Sequence, residues 1–259
     1  MSKPLLRILC FGDSLTAGWP SAHPYAGKLE EKLEAALPHL QPICEVDGVP
    51  GNRVAHGSYR KRMERAWQRR SNSTSSSGSG SASYRSSIGG TNDLAWKVSP
   101  NDVVDGLRRT WGIPLSRGGK VLALTIPEVG VGYFPQVDEA RDDINEAIRE
   151  YKRPNFFYFD LHSALPYLDM PPAKRSRIWE DDGVHLTEAG YDYMGEKIAE
   201  ALMRIIRLAE AQETEISNLV GDGDARQRRA IEQLIFEEER GDPKLLSQGY
   251  IFVRKADLD

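Results

Sequence analysis

Only two cysteines, Cys10 and Cys44, occur in 259 residues. A disulfide framework is thereby excluded, and the strand-like apolar setting of each suits reduced core thiols in a cytoplasmic protein. Long hydrophobic runs are missing as well: nothing approaches the roughly 20 apolar residues that span a bilayer. The opening MSKPLLRILCFGDS turns polar after a very short apolar stretch, so neither signal peptide nor membrane anchor is expected. Positive charge is not in excess. Lys and Arg total 34 against 38 Asp and Glu, a net charge of −4, which leaves no basic field to recruit nucleic acid or anionic lipid. His23, His39 and His162 have no partners at metal-ligand or triad spacing, and the GDGD at 221–224 lacks the remaining ligands of a calcium loop. The phosphate-binding pattern GxxxxGK[ST] is absent too.

What is present is enough apolar side chain for a core, 40% of residues, arranged in alternating strand and helix patterns. Leu5 to Phe11 reads as a buried strand ending at Gly12, and Tyr25, Leu29, Leu33 and Leu37 mark one face of a helix closed by Pro38. Pro42 to Val46 reads as a second strand. Tyr59, Met63, Ala66 and Trp67 then mark one face of a basic helix, with Arg60, Lys61, Arg62, Arg65, Arg69 and Arg70 assigned to a solvated face. Further along come a helix capped by Asp102 to about Trp111, a strand at Val121 to Ile126, a helix from about Val137 to Tyr151, a strand at Phe156 to Asp160, and a long helix capped by Thr187. Strands separated by helices require right-handed crossovers and a parallel sheet covered on both faces, so the fold class is α/β.

Two stretches break the pattern. Residues 71–87 collapse to Ser, Gly, Asn and Thr and read as a low-complexity insertion. The SASYRSSIG before Gly90 offers serines where a central strand is buried on both faces, at a loss of about 1.5–3 kcal/mol per missing aliphatic side chain. The expectation is that this strand is lost, and with it stability and activity. Beyond 212 the chain is charge-rich, with a helix-like ARQRRAIEQLIFEEER and a strand-like YIFVR, which sets a division into an α/β domain at 1–212 and an extension of unknown role at 213–259.

The chemistry gathers at Gly12-Asp13-Ser14-Leu15, where the first strand delivers a serine to the carboxyl edge of the sheet. Alone this is a weak signal, because Gly-Asp-Ser is also an ordinary helix N-cap. Asp13 reads as a cap or brace for the turn rather than as an acid. Asp182 and His185 lie just ahead of the last helix and could supply the base a serine nucleophile needs and the carboxylate that orients that base. The amide of Asn92 and the backbone N–H groups of Ser14 and Gly51 are suitable donors for an oxyanion.

The blocks FGDSLTAG, DGVPGN, GGTNDL and DDGVHLTEAGY resemble those of the GDSL, or SGNH, hydrolases over roughly residues 5–207. The resemblance implies a flavodoxin-like three-layer α/β/α sandwich, here with a C-terminal helical extension. It implies Ser14 as nucleophile, Asp182 and His185 completing a triad, and Ser14, Gly51 and Asn92 as oxyanion donors. The expected activity is a serine esterase acting on small-molecule carboxylic esters of short-chain acyl or acetyl type, without metal or organic cofactor. The rival expectation is a catalytically impaired or purely binding relative, motivated by the serine-rich stretch before Gly90.

Overall fold

In the computed structural model the apolar run at the N-terminus forms β1 (Leu5–Gly12), with every side chain after Arg7 buried. The structure describes residues 3–73, 83–130, 132 and 134–220. After β1 come α1 (Ser14–Ala17), α2 (Ala26–Ala36), β2 (Gln41–Gly48) and α3 (Gly57–Ser73). Then follow β3 (Ser83–Ser87), α4 (Thr91–Ala95), α5 (Pro100–Leu115), β4 (Lys120–Leu124) and α6 (Pro135–Arg149). Last are β5 (Phe156–Phe159), α7 (Leu161–Ala164), α8 (Pro172–Ile178) and α9 (Glu188–Val220). The chain divides into two compact units, Met1–Ala199 and Glu200–Asp259. In the second, α9 continues with Ala201, Leu202, Ile205 and Ile206 buried. The GDGD, ARQRRAIEQLIFEEER and YIFVR segments lie outside the described residues, as do 74–82 of the low-complexity stretch.

The first unit is a three-layer α/β/α sandwich of the flavodoxin-like kind. Its sheet is parallel throughout, in the order β2-β1-β3-β4-β5. Strand side chains alternate between the two faces. Leu9 and Phe11 pack with Tyr59, Met63, Val103, Leu107, Trp111 and Ile144 from α3, α5 and α6. Cys10 and its neighbour Ser86 face the other way, where the Tyr25 hydroxyl at the start of α2 meets Ser86 Oγ at 3.2 Å. Leu29 and Leu33 bury the face of α2 that the four-residue spacing marks, and α9 runs beside it, with Lys32 reaching Glu196 at 2.6 Å.

Several local expectations shift by a residue or two, as helix ends do. The cap of α5 is Ser99, whose Oγ accepts from the N–H of Asp102 at 3.2 Å, so Asp102 lies in the first turn instead of ahead of it. Thr187 caps α9 as expected, its Oγ1 accepting from the N–H of Gly190.

The larger correction concerns the stretch before Gly90. The central strand is not lost: β3 pairs along its length with β1 on one side and from Tyr84 onward with β4 on the other. A ladder is built from backbone N–H and C=O groups, which serine supplies as well as valine. Volume missing from the serines is taken up by large neighbours. Tyr84 and Tyr25 are buried on one face, and on the other Tyr59 packs edge-on to Phe11 and donates to the carbonyl of Ile88 at 2.8 Å. The second correction is Arg62. It does not share the solvated face of α3 but turns inward, with 12% of its side chain exposed against 53% for Arg60 and 69% for Arg69.

Candidate active site

β1 ends in a turn that only glycine permits. A Cβ on Gly12 would lie 2.3 Å from Thr16 Oγ1 and 2.5 Å from the carbonyl of Ile88, so the end of β3 and the first turn of α1 could not close on it. Asp13 caps α1 by accepting from the N–H of Leu15 at 3.1 Å, and Ser14 is the first helical residue.

Asp182 and His185 come from the loop between α8 and α9. The loop is pinned by a bridge between Trp179 and Leu186 and by the N–H of Gly130, which donates to the carbonyl of Gly183 at 2.6 Å. Oδ1 of Asp182 accepts from the N–H groups of Val184 (2.8 Å) and His185 (2.9 Å), and Oδ2 lies 2.6 Å from Nδ1 of His185. Partial burial pulls the Asp182 carboxyl upward, but the bonds from the His185 ring and from these two N–H groups outweigh it and hold the group below the usual carboxylate range. An ionised Asp182 accepts a hydrogen bond from the N–H of Nδ1, which leaves Nε2 to accept. Nε2 lies 2.9 Å from Ser14 Oγ. Ser14, His185 and Asp182 thus form one hydrogen-bonded chain.

Asn92 is the second residue of α4. Its Nδ2 donates to the carbonyl of Asn52 at 3.2 Å and lies 3.5 Å from Asp13 Oδ2. Gly51, beside Asn52, adopts φ +74° with open space around a would-be Cβ, so it is the left-handed backbone that calls for glycine. Among the described residues no hydrogen bond joins Gly51 or Asn92 to Ser14, and the N–H groups of Ser14 and Gly51 donate to no protein group.

Two buried carboxyl groups flank the arrangement. Burial pushes Asp13 up to about 6, against the opposing pull of the Leu15 N–H and of His185. Burial also raises Asp93, although it accepts from the N–H groups of Val54 (2.8 Å) and Ala55 (3.0 Å) and so ties the loop after Gly51 to α4. On the rim, the Trp19 ring meets His185 edge-on at 4.6 Å, and its carbonyl accepts from the Tyr191 hydroxyl at 2.6 Å. Trp96, 70% exposed, carries the Arg53 guanidinium over its ring at 4.8 Å. His23 pairs with Asp192 and His56 with Ser58. Among the described residues no group of three or more His, Cys, Asp and Glu could hold a metal ion.

Arg62 and Trp19 lie outside the motif blocks, and Asp93, inside GGTNDL, carries no assigned role in the sequence reading. For Arg62 a signal exists: it stands three residues after buried Tyr59, and such pairs share a helix face.

No curated protein matches the chain. Among solved structures, a member of the lipolytic protein G-D-S-L family from Veillonella parvula superposes with TM-score 0.58 at 22% identity, covering 77% of this chain and 99% of its own. A carbohydrate acetylesterase from Sinorhizobium meliloti (TM-score 0.53, 17% identity) and the aryl esterase of M. smegmatis (TM-score 0.55, 19% identity) cover the same shares. At these identities the likeness is one of fold. The model of the GDSL-like lipase/acylhydrolase family matches residues 10–193, a span that runs from β1 into α9 and takes in every one of the four motif blocks, and the chain belongs to that family.

Proposed function

We propose that the protein is a serine esterase that hydrolyses short-chain acyl or acetyl esters through an acyl-enzyme. The observation that carries this reading is the chain from Ser14 Oγ to His185 Nε2 (2.9 Å) and from Nδ1 to Asp182 (2.6 Å). Ser14 attacks the ester carbonyl while His185 takes its proton, and Asp182 stabilises the imidazolium that forms. The oxyanion is received by the free N–H groups of Ser14 and Gly51 and by Asn92 Nδ2, one of whose hydrogens is held only by the long contact to Asp13. His185 then returns the proton to the leaving alcohol, and water, activated by the same imidazole, releases the acid. No cofactor enters these steps. A similar fold that acts as a carbohydrate acetylesterase supports an acetyl-sized acyl group. The free thiols Cys10 and Cys44 suit a reducing compartment such as the cytoplasm. The binding-only alternative loses its motivation with β3 in place.

A fluorophosphonate tests the reading, since it needs an activated hydroxyl and an oxyanion site together. Mass spectrometry should place the label on Ser14. His185→Ala should abolish labelling and lower turnover of p-nitrophenyl acetate by at least about 10³. Asn92→Ala should lower kcat by about 10²–10³ with KM nearly unchanged. A label on another serine, or none on folded protein, removes the assignment.

A further inference from the structure

Arg62 reaches from α3 to the backbone on both sides of the candidate oxyanion site. Its Nη2 donates to the carbonyl oxygens of Gly12 (2.7 Å) and Asp47 (2.8 Å), and its Nη1 donates to Oδ1 of Asn52 (2.7 Å). Its Nε lies 3.1 Å from Asp47 Oδ1, and the guanidinium sits 4.5 Å from the centroid of Phe11. These attachments are aimed. Gly12 stands two residues ahead of Ser14, and Asn52 directly follows Gly51. The carbonyl of Asn52 in turn accepts from Asn92 Nδ2. The segments carrying all three candidate oxyanion donors are therefore linked to one guanidinium, and Asp47 beside it balances the charge.

An oxyanion site accelerates a reaction only if its donors are in place before charge develops. A Cβ on Gly51 would meet nothing, so no side chain there sets its distance from Ser14; the backbone tie is the N–H of Val49, which donates to the carbonyl of Gly12 at 3.1 Å. A planar fork that donates in fixed directions to Gly12, Asp47 and Asn52 adds three side-chain bonds to that tie, one of them to Asn52 itself. A lysine ammonium, one point on a flexible stem, cannot span the same three residues.

We propose that Arg62 is a positioning residue for the hydrolysis, holding the Ser14 and Gly51 N–H groups and the Asn92 amide in register through Gly12 and Asn52 without touching substrate. This rests on the esterase reading above. The test compares Arg62→Ala and Arg62→Lys with the unmodified full chain in melting temperature, kcat and KM on p-nitrophenyl acetate, and fluorophosphonate labelling of Ser14. For folded variants kcat should fall by up to about 10² with KM nearly unchanged. Ser14 should still label to completion, though more slowly, because its hydroxyl and His185 are intact. Millimolar guanidinium ion should restore part of the kcat of Arg62→Ala, which a general loss of packing would not allow. Folded Arg62→Ala with unchanged kcat, or with raised KM at unchanged kcat, overturns the proposal. Should neither Arg62 variant fold, Asn52→Ala decides, since it removes the Nη1 acceptor: kcat lowered at constant KM upholds the proposal and unchanged kcat overturns it. An unmodified chain that neither turns over esters nor labels at Ser14 overturns the esterase reading and this inference with it, and that result is read before any variant is made.

Discussion

Asp13 is a carboxyl group with no exposed surface, placed between Ser14, which it precedes, and the amide of Asn92. Burial moves it from 3.8 to about 6. The unfolded chain gives up this proton near 3.8 and the native protein holds it to about 6, so the native state binds more protons between those values and stability falls as pH rises through them. Above that window the ionised group costs the fold about 3 kcal/mol. Asp13→Asn should therefore melt close to the unmodified protein near pH 4 and several degrees above it at pH 7.5, at about 2–4 °C per kcal/mol. Its kcat should drop, because an amide nitrogen can then face Asn92 where a carboxylate oxygen stood. Melting curves that differ equally at both pH values, or an unchanged kcat, would contradict this account. Ser14, Asn92, Asp182 and His185 are legible in the sequence because each stands in a short run of unusual chemistry. Arg62 is not, since five other basic residues around it make charge the louder signal than its spacing from Tyr59.

At the scale of elements, strands β1, β4 and β5 declare themselves as apolar runs, and α2, α5 and α9 by apolar spacing and caps. α1, α7 and α8 are too short for a period to register. β3 is invisible for a different reason: its place is fixed by the unpaired edges of β1 and β4, not by its own side chains. One of its serines nonetheless contributes. Ser86→Ala would leave the buried Tyr25 hydroxyl with only the weak thiol of Cys10, so it should destabilise by about 1–3 kcal/mol although alanine is the more apolar residue. Tyr25→Phe together with Ser86→Ala removes both polar partners and should cost less than the sum of the single changes. Denaturant titration of the four proteins measures this coupling, and strict additivity would mean that the two hydroxyls do not depend on each other.

Across the whole molecule, Ser14, Gly51, Asn92, Asp182 and His185 all fall within Met1–Ala199, and the family match ends at residue 193. We propose the boundary at 212, which leaves α9 its buried Leu202, Ile205 and Ile206. A chain ending at residue 212 should fold cooperatively and hydrolyse p-nitrophenyl acetate at a rate close to that of the full chain, and a large loss of kcat would assign the remainder a part in catalysis. Within the first unit, the edge-on meeting of Trp19 and His185 reaches beyond chemistry into optics. A protonated imidazole drains the excited state of a neighbouring indole far more efficiently than a neutral one. Trp19 is one of five tryptophans, and Trp111 and Trp179 are buried in other surroundings, so a change of charge on His185 should register as a change in the emission of this ring.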